Sequence, residues 1–105
     1  MTTKKSTSEA TRFLTKLAGE LTLANLLTSI RHGEEMSQVE FAKLLKVSQQ
    51  YLCDVEHGRR YVSPKAAAQF AKKLGYSPHQ FVRLCLQDLV NREGLKLKIG
   101  VEDAA

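Results

Sequence analysis

The chain of 105 residues has no tryptophan, two prolines, two cysteines, and no Gly- or Pro-rich stretch in its interior that would act as a linker. With 43% hydrophobic positions and no linker, it is long enough to bury one core and too short for two domains. Cys53 and Cys85 stand 32 positions apart, with neither a CxxC spacing nor a histidine pair nearby. A reduced, cytoplasmic chain is the expectation. No run nears the roughly 18 apolar residues that cross a bilayer. MTTKKSTSEATR lacks the apolar centre of a secretory signal, so neither insertion nor export is expected. His32, His57 and His79 share no ligand spacing, which argues against a metal. There is no nucleophile–base–orienter set, carboxylate pair or phosphate-cradling glycine loop either, so no cofactor and no enzymatic activity are expected.

Acidic residues are the minority. The 16 Lys+Arg against 11 Asp+Glu leave a charge of +5, a modest excess that suits an anionic partner and equally an ordinary solvated surface. Residues 1–7, MTTKKST, are too polar to offset the entropy of ordering and are expected to form a flexible basic arm. A first helix is expected over 8–19, capped by Ser8, with Phe13, Leu14 and Leu17 on one face and Gly19 at its end.

What the sequence has in quantity is helix punctuation. Thr22 precedes Leu23, Leu26, Leu27 and Ile30, spaced by three and four and ended by Gly33, the pattern of an amphipathic helix. Ser37 with Glu40 makes a capping box ahead of Phe41, Ala42, Leu44 and Leu45. Val47 turns inward, Ser48 caps the next helix, Leu52 and Val55 form its apolar face, and Gly58 stops it. Both prolines lie at helix starts, in Ser63-Pro64 and Ser77-Pro78, where the missing N–H costs no bond; Gln80 would complete a second capping box with Ser77. The last helix carries Phe81, Val82, Leu84, Cys85, Leu86, Leu89 and Val90, an apolar arc wider than one core requires, so part of it is expected to pack on another chain. Beyond Gly94 the period falls to two: Leu95, Leu97, Ile99 and Val101 alternate with lysines, which predicts a β-strand over 95–101 that needs a partner strand in a dimer mate or another protein. The expected fold is therefore all-α with five or six helices, plus this C-terminal strand.

Function is expected between Ser37 and Gly58. Phe41, Ala42, Val47, Leu52 and Val55 hold two short helices at a steep angle, with Ala42 small where they approach, in the spacing of a helix-turn-helix. With Leu52 and Val55 inward, the 3.6 period turns Ser48, Gln49, Gln50, Cys53, Asp54 and His57 outward. A glutamine amide matches the donor and acceptor of adenine N6 and N7, so this polar face suits base reading in a major groove. Gln38, Lys46, His57, Arg59, Arg60 and Lys65 surround it and are placed to meet phosphates.

From Leu23 to Tyr76 the chain resembles the Cro/XRE-type helix-turn-helix family of phage repressors and related regulators, and SQQYLCDVEHG is similar to the recognition helices of lambdoid repressors. The resemblance implies a lambda-repressor-like domain over 22–92 with its motif at 37–58. It also implies a phosphate-binding glutamine at Gln38, paired readers at Gln49 and Gln50, a third reader at Asp54, and a structural ion pair between Arg31 and Glu56. The family's usual turn glycine is Lys46 here, and its third reader is acidic. The implied function is a sequence-specific, homodimeric DNA-binding regulator. An antitoxin that masks a toxin protein and represses its own operon is the alternative, since the QDLV…GLKLKIGVEDAA tail is similar to those of antitoxin-like members.

Overall fold

Five serine and threonine hydroxyls set where the helices begin. In the computed structural model, which describes residues 21–104, Thr22, Ser37, Ser48, Ser63 and Ser77 each accept a hydrogen bond from a backbone N–H of the first turn that follows, satisfying a donor the helix cannot. The helices are α1 (Leu23–Gly33), α2 (Gln38–Leu45), α3 (Gln49–Glu56), α4 (Pro64–Leu74) and α5 (Pro78–Arg92). Ser37 and Glu40 close the expected capping box, with N–H···O distances of 3.1 and 2.9 Å. The second one does not form: Ser77 accepts from His79 N–H at 3.3 Å, while Gln80 Oε1 accepts from Arg83 at 3.4 Å. The expected arm at 1–7 and helix at 8–19 lie outside the described residues.

α4 and α5 make the most extensive helix pair; α1 rests on α3 and α5, and α2 on α3 and α4. Leu27, Phe41, Leu45, Leu52, Phe81 and Leu84 are fully buried where the helices meet, each contributing roughly 1.5–3 kcal/mol through burial. Ala42, Ala67 and Ala71 are buried too, and their single methyl lets the axes approach. Two long-range contacts trim helix ends: Asp88 of α5 accepts from Leu23 N–H at 3.1 Å, and Lys73 of α4 donates to Leu45 O at 3.1 Å. An anion at the start of α1 and a cation at the end of α2 both oppose the helix dipoles.

The same turn ends α2 and α3. Just past each helix an N–H bonds back to close a six-residue turn: Val47 N–H to Ala42 O at 3.0 Å, and Arg59 N–H to Asp54 O at 2.8 Å. Such a turn needs a left-handed residue. α3 supplies Gly58 at φ +74°, whereas α2 supplies Lys46 at φ 60°, ψ 45°. A side chain in that region costs about 1 kcal/mol. Lys46→Gly is expected to stabilise the domain by up to about 1 kcal/mol, measured as a higher urea midpoint at unchanged slope.

The strand expected over 95–101 is not formed; among the described residues there is no strand. The segment lies back along α5, where its backbone finds a side chain in place of a neighbouring strand. Gln87, 7% exposed, donates to Leu97 O at 2.8 Å and to Asn91 Oδ1 at 2.9 Å, and accepts from Ile99 N–H at 2.8 Å. An amide side chain thus imitates one rung of a ladder. His79 holds the end of the tail, 2.7 Å from Asp103 Oδ1. Ile99 and Val101 are half-buried, but Leu95 and Leu97 are 50% and 59% exposed, so the alternation gives no single buried face.

Candidate nucleic-acid interface

The outer surface of α3 is positioned by polar contacts that begin at the end of α1. Arg31 donates from Nε to Glu56 Oε2 at 2.8 Å and from Nη2 to Oε1 at 3.1 Å, and its Nη1 reaches Met36 O at 3.1 Å. The two side chains are 14% and 5% exposed, so this fork joins α1 to α3 in a largely dry place. Gln38, on the first turn of α2, donates to the same Glu56 Oε1 at 2.9 Å, and its own Oε1 accepts from Gln49 Nε2 at 3.3 Å. One connected chain therefore runs Arg31, Glu56, Gln38, Gln49. Burial pushes the Glu56 carboxyl up, but the bonds from Arg31 and Gln38 and the charges of Arg31 and His32 outweigh it, leaving it below the usual carboxylate range.

Gln49 and Gln50 stand exposed on the first turn of α3. Gln50 Nε2 donates to Asp54 Oδ1 at 3.0 Å. Each amide thus has one N–H tied down by a neighbour, and a carbonyl oxygen with a second N–H left to present outward. Ser48 uses its hydroxyl oxygen on Tyr51 N–H at 3.0 Å, which makes it first a helix cap. Cys53 is half-buried beside them, its Sγ 3.6 Å from both His57 Nδ1 and Arg59 Nη2. Asp54 is bound from two sides, since Arg59 also donates to Oδ1 from Nε at 3.1 Å and from Nη2 at 3.0 Å.

The surrounding cations are not equivalent. Lys46 and Lys65 are exposed. Arg60 lies over the Tyr51 ring at 4.8 Å, which holds its flexible stem. Burial raises the Tyr51 hydroxyl's pKa, with the Arg60 charge opposing. The His57 Nδ1 donates to Cys53 O at 2.7 Å, so its Nε2 can donate to a phosphate only when the ring is protonated. Sequence reasoning missed the Tyr51 platform under Arg60 and the pairing of Asp54 with Arg59. The five-residue spacing of that pair looks unremarkable until Gly58 turns the chain back.

Residues 30–81 match the helix-turn-helix family. The chain belongs to that family, in its Cro/C1 type. The match runs from the end of α1 into α5 and includes Arg31, Glu56, both exposed glutamines and every cation of the rim. No curated protein matches the chain. In this helix-turn-helix domain α2 and α3 are the two motif helices, Lys46 occupies the left-handed turn between them, and the protein is a DNA-binding regulator. No helix among the described residues is long and apolar enough to cross a membrane.

Proposed function

We propose that the protein is a sequence-specific transcriptional repressor that binds operator DNA as a homodimer, with the two copies of α3 in major grooves about 34 Å apart. The observation that carries this reading is the pair of exposed amides at Gln49 and Gln50, each braced through one N–H with its donor–acceptor edge open. Base reading requires side chains held in place before the duplex arrives, and the chain from Arg31 to Gln49 supplies that bracing. Gln38 has a second N–H left for a phosphate. Lys46, His57, Arg60 and Lys65 complete the rim, and Arg31 with Glu56 is the structural lock. Support for the dimer comes from α5, where Leu89 is 48% exposed beside the half-buried Leu86 and Val90, an apolar strip the core leaves uncovered. The antitoxin alternative drew on a terminal strand that is absent and on a helix outside the described residues, and no other feature favours it.

Salt-titrated binding to a selected operator and to random DNA tests this reading. Arg60→Ala is expected to weaken both equally and to make the slope of log K against log salt shallower by about one unit. A wild-type chain with the same affinity for operator and random DNA would overturn sequence reading. A mass in solution of one chain at micromolar concentration would overturn the dimer.

A further inference from the structure

We propose that Arg59 reads a guanine in the major groove and that Asp54 holds it in position to do so. This rests on the DNA-reading assignment of α3. A guanidinium has two edges that can each make paired hydrogen bonds. The Nε/Nη2 edge of Arg59 lies on Asp54 Oδ1, at 3.1 and 3.0 Å. The other edge carries Nη1, which makes no hydrogen bond among the described residues, and an Nη2 that touches the Cys53 thiol at 3.6 Å, a weak contact that a guanine would displace. Two parallel N–H donors are what guanine O6 and N7 accept.

Arg59 is fixed at both ends. Its N–H bonds Asp54 O at 2.8 Å through the left-handed turn at Gly58, and its head bonds the carboxylate of that same residue. The hydrogen bonding raises the Arg59 pKa. Exposure runs the right way: the Asp54 side chain is 26% exposed and that of Arg59 57%, so the acid is the inner partner and the arginine the outer one. Gln50 donates to the same Oδ1, which places the guanidinium beside an exposed amide of the reading face. Together Asp54 and Arg59 carry no net charge, a poor arrangement for attracting phosphate and a good one for presenting a rigid fork. An acidic third position is then a brace for an arginine rather than a reader of cytosine.

The test is oligonucleotide selection followed by binding assays with wild type, Arg59→Lys, and the charge-neutral double variant Asp54→Ala/Arg59→Ala. The wild-type site is expected to contain a G·C pair, with affinity falling about 5- to 150-fold when it is changed to A·T. Replacing that guanine by 7-deazaguanine should weaken wild type as well. Arg59→Lys keeps the charge but not the fork and should show a weaker G·C preference, whereas the double variant should lose that preference; both should bind random DNA within about twofold of wild type. If the double variant keeps the preference, or 7-deazaguanine leaves wild-type binding unchanged, the guanine reading is overturned while the reading by Gln49 and Gln50 stands. A wild-type chain that selects no sequence overturns both.

Discussion

Arg31→Ala is expected to destabilise the protein by about 3 kcal/mol at neutral pH, because it leaves the Glu56 carboxylate buried without its main counter-charge. Gln38 still donates one hydrogen bond, but Met36 O loses the donor it had in Arg31. The loss should shrink in acid. The folded-state pKa of Glu56 lies below its unfolded value, so the pair contributes stability that is complete above the unfolded value of about 4.3 and is lost as pH falls through the lower, folded pKa. Without Arg31, burial pushes the carboxyl upward and favours its neutral form. Urea unfolding at pH 7 and near pH 3 should therefore show wild type and variant far apart at the first and close together at the second. A constant gap would mean that the arginine acts by packing alone. Replacing both partners, as in Arg31→Met with Glu56→Met, should cost much less than Arg31→Ala.

The second large effect is on recognition. Gln49→Ala and Gln50→Ala are each expected to relax preference at one or two base pairs, lowering affinity for the operator by about 5- to 150-fold. Random DNA should be bound as tightly as by wild type. Both side chains are exposed, so the urea midpoint should hardly move. The two losses come from different neighbourhoods. Gln49→Ala removes the ligand of Gln38 Oε1 and frees an amide that also serves Glu56. Gln50→Ala removes one donor from Asp54 but leaves Arg59 on it. Equal losses on operator and random DNA would show that these amides do not read bases.

Local signals carried much of this structure. A hydroxyl before an apolar period fixes a helix start within a residue, because the unpaired N–H groups of the first turn need an acceptor nearby; Thr22, Ser37 and Ser48 show this. The Arg31–Glu56 contact, across 25 residues, followed from resemblance to a family, since no local rule links those positions. Where the outcome depended on distant partners, the sequence misled. The alternation of Leu95, Leu97, Ile99 and Val101 suits a strand, but whether such a segment becomes one depends on what lies beside it. Here that is the amide of Gln87, a buried polar side chain on α5. The Ser77 box failed for a local reason: His79 and Arg83, two and three residues along, take the two polar ends.

Reading by Gln49 and Gln50 can be tested atom by atom with a cycle that pairs each alanine variant with an operator carrying 7-deazaadenine, which lacks the N7 acceptor. If the amides grip adenine N6 and N7, the modified base weakens wild type, and at one adenine for each glutamine it weakens the corresponding alanine variant no further. Losses that simply add at every adenine would contradict that contact and, with it, the account of α3 as the helix that reads the duplex.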